Sequence, residues 1–204
     1  EDPPQKHRQY LVNSVNFIAD SEMTPIRKGS FTGFDSLSYK GYNMYYKDKM
    51  FLRPKLLVDF NRIRPGEFYS ERDVQNTYSA LGRLRMLKYS NIRFKEVNVS
   101  DSTKLDAYIV MSKGQNKSVS FEIEGTNSAG DLGAAASISF QHRNVFKGSE
   151  TFTMKVRGAY EAITGLGQDY VNDNYTEYGV ESSLNFPEFM FPFLSSDFKR
   201  KIKA

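Results

Sequence analysis

Residues that could carry chemistry are sparse along this chain. Histidine occurs only at His7 and His142, and cysteine is absent, which excludes a thiol nucleophile, a disulfide and a cysteine-based zinc site. The wide separation of the two histidines argues against a metal site or a histidine-based dyad. Glu122 and Glu124 lie on one strand face, yet nothing near them indicates hydrolysis, and GLGQ at 165–168 lacks the Lys-Ser/Thr of a phosphate loop. We therefore expect no enzymatic activity, no cofactor and no metal.

Charge and composition narrow the class of protein further. The 28 basic and 24 acidic residues are spread along the 204 positions, so no basic stripe indicates a nucleic-acid partner. Aromatic residues reach 14% of the chain, which favours β-structure over disorder. No apolar run approaches the ~18 residues of a membrane-spanning helix, and no leader-like segment opens the chain. Because the chain begins at Glu1 instead of Met, we expect it to be cut from a longer precursor.

The first half, to about residue 114, has mixed periodicity. YLVNSVNFIAD, residues 10–20, alternates like a strand whose buried side is formed by Leu11, Val15 and Phe17. The Gly-, Ser- and Tyr-rich segment at about 22–50 is interpreted as an inserted loop with a short hairpin. Two further strands are predicted at 91–99 and 104–112, joined by a polar turn at 98–104.

Two helices are predicted between those strands. FLRPKLLVDFNRI has apolar residues at helical spacing, accepts Pro54 near its start and ends at 64–66, Arg-Pro-Gly. In YSERDVQNTYSALGRLRMLKY, Ser70 is the expected N-cap, with Asp73 three residues later in a capping-box arrangement. The apolar stripe of this second helix comprises Val74, Tyr78, Leu81 and Leu84. The predicted order is strand, helix, helix, strand, strand.

From residue 117 onward, strict alternation replaces the helical period. VSFEIEGT, GAAASISFQHR, TFTMKVRGAYEA and YGVESSLNF each place apolar side chains on one face and polar or charged side chains on the other. A soluble sheet would bury that apolar face in a protein core. An outer-membrane barrel would turn it to lipid and the polar face to a wet lumen.

Three observations favour lipid. The strands are longer than the ~5 to 6 residues usual in globular sheets, and FPEFMFPF clusters aromatics where a strand would leave an apolar slab. Both helices are needed by the first half, so no segment remains to cover the apolar face. The predicted lipid-facing residues are Ile138, Phe140, Phe152, Met154, Val156, Tyr160, Leu184 and Phe186. The predicted lumen-facing residues are Lys155, Arg157, Glu161 and Glu181, which a solvated sheet face would explain equally well.

The order of these segments resembles a known family. IRPGEFYSERDVQNTYSALGRLRMLKYSNIRFKEV and its flanking strands resemble a POTRA (polypeptide-transport-associated) domain, and the segment from FEIEGT to FPFL resembles the start of the bacterial surface antigen barrel. Together they resemble the outer-membrane barrel-assembly family of the BamA/TamA type, and HRNVFKGSE is similar to that family's first turn. The resemblance implies an α+β fold: a β-α-α-β-β POTRA domain at 1–116, interrupted by the insert, then antiparallel strands of a truncated transmembrane barrel at 117–204.

The resemblance also implies roles and partners. The second POTRA strand would lie on a sheet edge and bind clients by β-augmentation through Asn91, Ile92, Arg93, Phe94, Lys95, Glu96 and Val97. Alternatively, its charged residues Arg93, Lys95 and Glu96 could serve only to prevent pairing with another chain at an exposed edge. The first barrel strand would be a movable seam containing Val119, Phe121, Ile123 and Gly125. Expected partners are unfolded outer-membrane proteins, accessory assembly proteins and outer-membrane lipid, with the POTRA domain in the periplasm of a Gram-negative bacterium. The alternative is a soluble periplasmic binding or scaffolding module.

Overall fold

Most of the described chain is β-strand, arranged in two sheets with two short helices. The computed structural model describes residues 9–19, 33–99, 102–128, 131–162 and 174–187. In chain order the elements are β1 (Leu11–Ala19), β2 (Asp35–Tyr39), β3 (Tyr42–Tyr46), α1 (Pro54–Phe60), α2 (Glu71–Gly82), β4 (Leu87–Val99), β5 (Ser102–Lys113), β6 (Lys117–Ser128), β7 (Asp131–Arg143), β8 (Thr151–Ala162) and β9 (Asn174–Asn185). One compact unit contains β1–β5, both helices and Lys147–Ser149, and a second contains β6–β9.

The first unit is built on a five-stranded mixed sheet of order β2-β3-β1-β5-β4. β1 is parallel to both β3 and β5, while β2–β3 and β4–β5 pair antiparallel. A parallel pair needs a crossover connection, and α1 and α2 lie in the one from β1 to β5. The short hairpin predicted within 22–50 is β2–β3, turned by Lys40 and Gly41 at φ 51 and 80. This hairpin extends the main sheet, because β3 pairs with β1. The predicted order of strand, helix, helix, strand and strand did not include that pairing.

The face of β1 that reaches the core differs from the prediction in one place. Val15 and Phe17 are fully buried as expected, but Val12 is buried and Leu11 is only half-buried. A register shift between Val12 and Ser14 in the pairing with β5 explains the error. The irregularity there changes which side chains face inward, so strict alternation cannot be extended back to Leu11.

Both helices pack on this sheet. The core includes Leu57 of α1 and Leu81 of α2, each with no exposed surface, against Phe17 and Ile109 of the sheet. The Ser70 cap is confirmed, since its hydroxyl accepts the Asp73 N–H at 3.4 Å. None of the described helices is long and apolar enough to cross a membrane.

Two boundaries differ from the prediction. α2 ends at Gly82, so Leu84, which was predicted on the helical stripe, enters the core outside the helix. β4 begins at Leu87. The turn after β4 is shorter than the expected 98–104, since the ladder continues to the pair Val99↔Ser102.

The second unit is a four-stranded antiparallel sheet of order β6-β7-β8-β9. Its strands are 12 or 13 residues long, and all three pairings are continuous. In the described part of the chain β6 and β9 are its edges, so the sheet is not closed.

Candidate functional site

The apolar side chains of the second sheet form one continuous exposed face. Cross-strand register places them in rows, of which the central one is Phe121–Ile138–Val156–Val180. The neighbouring rows are Val119–Phe140–Met154–Ser182 and Ile123–Ala136–Gly158–Tyr178. Exposure reaches 74% at Ile123 and 85% at Tyr178. Soluble monomers rarely expose a contiguous apolar patch of this kind, so the face indicates a site that contacts an apolar phase or partner.

The ends of this face also carry large side chains. Phe152 lies opposite Leu184 in one outer row, and Tyr160 lies opposite Ala134 in the other. Phe186, which was assigned to the last strand, follows the end of β9 and is 43% exposed. Phe152 and Tyr160 are eight positions apart, so they are separated by about 27 Å at ~3.4 Å per residue. A strand tilted by about 40° would project this length to roughly 21 Å, close to the ~25 Å apolar band of outer-membrane barrels.

Charged side chains line the opposite face, and two ion pairs connect β6 to β8. Lys155 Nζ lies 3.1 Å from Glu122 Oε2, and Arg157 Nη2 lies 3.2 Å from Glu124 Oε2. Both pairs cross β7, where the small residues Ala135 and Ser137 are only 5% and 7% exposed. Sequence reasoning missed these acidic partners, because opposite charges two strands apart are recognisable only once the register is known.

The other predicted lumen-facing residues occupy the same polar face. Glu181 pairs with Lys155 in the β8–β9 register, and Glu161 lies between Gly133 and Tyr175. The four basic and acidic residues predicted for a lumen are therefore on one face, opposite the apolar rows. Within the described ranges, no cluster of three or more His, Cys, Asp or Glu side chains could hold a metal ion.

β6 is an edge strand with an exposed apolar side. Val119 and Phe121 are each 66% exposed, and Gly125 keeps its ladder pairing with Ala134. A Cβ on Gly125 would meet no atom within 4 Å. The close approach in this ladder is instead at Gly133, where a Cβ would clash with Thr126 Oγ1. A side chain at Gly125 would thus meet open space, whereas one at Gly133 would force the Thr126 side chain to shift.

β4 is an edge strand of the first sheet. It pairs with β5 on one side, from Asn91↔Val110 to Val97↔Lys104 through the predicted client-binding segment. Ile92 and Phe94 turn toward the helices. The rings of Phe94 and Tyr69 are in edge-to-face contact, with 5.0 Å between their centroids. The segment's charged residues are exposed: Arg93, Lys95 and Glu96.

The side of β4 facing away from β5 is partly occupied. The Tyr78 hydroxyl, from α2, accepts the Ile92 N–H at 2.7 Å and also lies 3.1 Å from Asn91 Oδ1. The helical stripe predicted Tyr78 as a core residue, and its ring is indeed half-buried. Its role at the strand edge was missed, since only the tertiary structure brings its hydroxyl to β4.

A polar cluster on the other face of the first sheet is internally satisfied. Ser14 Oγ donates to Asp106 Oδ1 at 2.6 Å, and Asn16 Nδ2 donates to Ser14 Oγ at 2.8 Å. Burial raises the pKa of Tyr108 above its usual value, and the neighbouring Asp106 and Tyr45 raise it further. Tyr108 therefore stays neutral at physiological pH.

Comparison with known proteins gave structural likenesses only. No family model and no curated protein sequence matches the chain. Among solved structures, BamA from Haemophilus ducreyi lacking POTRA domains 1-3 aligns over 86% of this chain and 47% of its own, with 11% identity and a TM-score of 0.36. CdiB from Acinetobacter baumannii aligns over 90% of this chain and 43% of its own, with 8% identity and a TM-score of 0.45. This chain thus spans less than half of either protein. At these scores the likenesses carry no argument about function.

Proposed function

We propose that this chain is part of an outer-membrane protein assembly or insertion component. In this proposal the first unit is a POTRA domain in the periplasm, and β6–β9 are strands of a transmembrane barrel. The single observation that carries the proposal is the continuous apolar face of β6–β9, backed by a charged face on the same strands. Alternation of this kind fits a sheet with lipid on one side and water on the other.

Lipid explains the apolar face better than water does. Each fully buried Val, Ile or Phe side chain gains about 1.5–3 kcal/mol over an exposed one, so leaving several rows in water would forgo a large stabilisation. The polar face fits an aqueous lumen, because Lys155 and Arg157 are paired with carboxylates and remain partly exposed. The projected height of about 21 Å fits a barrel strand.

Two of the four edge strands of the described sheets, β4 and β6, would receive the client. An edge strand presents unpaired N–H and C=O groups that an extended polypeptide can join as an additional strand. β4 would receive the unfolded client, and β6 would be the seam at which client strands pair before entering lipid. Strand pairing and apolar burial would supply the free energy, with no nucleotide.

A crosslinking experiment tests this mechanism. Photo-crosslinkable residues at Lys95 on β4 and Ser120 on β6 of the full-length protein are expected to capture a urea-denatured outer-membrane barrel protein on dilution. The same residue at Thr153 on β8 is the matched control, because β8 is paired on both sides. Absence of adducts at both edge positions, or equal adducts at Thr153, would remove the client-receiving mechanism.

Detergent dependence separates this proposal from a soluble periplasmic binding or scaffolding module. A membrane barrel is expected to enter the detergent phase and to bind phospholipid vesicles. If the full-length protein stays in the aqueous phase and binds no vesicles, the apolar face docks on another protein, and the scaffolding function replaces the proposal.

A further inference from the structure

Tyr78 occupies one position on the free edge of β4. Its hydroxyl oxygen accepts the Ile92 N–H at 2.7 Å and lies 3.4 Å from the Ile92 carbonyl oxygen and 3.1 Å from Asn91 Oδ1. A phenol has one hydrogen, so it donates to only one of the two acceptors at a time. The side chain belongs to α2, so a helix residue satisfies a backbone group of the neighbouring strand.

The geometry of the ladder shows which backbone groups face outward. In an antiparallel pair, alternate residues exchange hydrogen bonds with the partner strand, and the residues between them direct their N–H and C=O to the other side. Ile92 belongs to the outward set, since its N–H bonds to Tyr78. Phe94 and Glu96 belong to it as well, because the pairing with β5 has no irregularity beyond Tyr89.

The outward positions therefore differ in availability. Among the described residues, no side chain bonds to the outward backbone groups of Phe94 or Glu96, whereas the N–H of Ile92 is taken. An incoming strand could pair beside Phe94 and Glu96 directly. To continue past Ile92 toward Lys88, it would have to displace the Tyr78 hydroxyl.

We propose that Tyr78 is a specificity-determining residue that limits strand addition on β4 to the part from Phe94 to Val99. A client that pairs farther must replace the Tyr78 hydrogen bond with its own. This inference rests on the proposed function, because it takes β4 as the client-receiving edge. One hydrogen bond of ordinary net strength corresponds to about a two- to tenfold change in an equilibrium constant.

The test is a Tyr78→Phe variant of the full-length protein, with a urea-denatured outer-membrane barrel protein as the probe. Photo-crosslinkable residues at Lys88 and Lys95 report on the two sides of Ile92. In the wild type we expect adducts at Lys95 and few at Lys88, and in Tyr78→Phe an increase of about two- to tenfold at Lys88. Tyr89→Phe is the matched control, because it removes a hydroxyl from β4 without touching Ile92.

A second measurement does not depend on any client. Amide hydrogen exchange in the free protein should become faster at Ile92 in Tyr78→Phe, by a similar factor. Arg93 should keep its wild-type rate, because its backbone groups bond to β5, and this shows that the strand is still folded.

The outcomes distinguish the inference from the proposed function. Equal Lys88 adducts in wild type and Tyr78→Phe, or unchanged exchange at Ile92, would overturn the role of Tyr78 and leave β4 as a client edge. No adducts at either lysine in either protein would overturn the client-receiving function of β4, and the inference with it.

Discussion

Replacing Val156 by lysine is the sharpest test of whether the apolar face of β6–β9 contacts lipid. Val156 lies in the central row, between Ile138 on β7 and Val180 on β9. It is equally far along β8 from Phe152 and Tyr160, which are the large side chains near the two ends of the face. In a membrane, Val156 would therefore lie near the middle of the hydrocarbon.

The expected cost follows from that depth. A lysine on the lipid face of a barrel costs about 2–4 kcal/mol at the bilayer midplane and about 0–1 kcal/mol near the interfaces. Lysine at Val156 should therefore lower the free energy of unfolding from lipid by about 2–4 kcal/mol. On a water-exposed sheet the same change should stay within about 0.5 kcal/mol, because Val156 is already 41% exposed.

The assay is urea unfolding of the full-length protein in phosphatidylcholine vesicles. Thr153→Lys is the matched control, because Thr153 lies on the same strand and on the polar face. We expect the control to stay within about 0.5 kcal/mol of the wild type. If Val156→Lys folds as stably as Thr153→Lys, the apolar face is not in hydrocarbon, and the barrel interpretation fails.

Two further substitutions test local packing. Gly133→Ala should loosen β6, seen as faster amide exchange along that strand, because its Cβ would clash with Thr126 Oγ1 and lie 3.0 Å from the Tyr160 carbonyl oxygen. Adding Thr126→Ala should restore part of the protection; no change in either variant would contradict the clash. Thr77→Val should lower the free energy of unfolding by about 1–3 kcal/mol, measured in urea, because the buried hydroxyl accepts the Arg62 N–H at 2.9 Å. Thr77→Ser keeps the hydroxyl, and an equal loss in both variants would refute the hydrogen-bond argument.

Local sequence pattern determined much of the secondary structure. The Ser70 cap was predictable because it needs only residues three positions apart, and the alternation in β6–β9 follows from the two-residue period of a strand. The same period placed the predicted lipid-facing and lumen-facing side chains on opposite faces. The composition also fixed what chemistry was excluded, since a chain without cysteine has no thiol.

Tertiary structure alone decided how those elements combine. The irregularity that buries Val12 in place of Leu11 arises from the pairing of β1 with β5, about 90 residues later in the chain. The ion pair of Glu122 with Lys155 depends on the register of three strands. Tyr78 fits the helical stripe expected of a core residue, yet its hydroxyl bonds to the edge of β4. Periodicity is a local property that assigns a side chain to a face, whereas the partner it meets there depends on long-range register, which no short segment encodes.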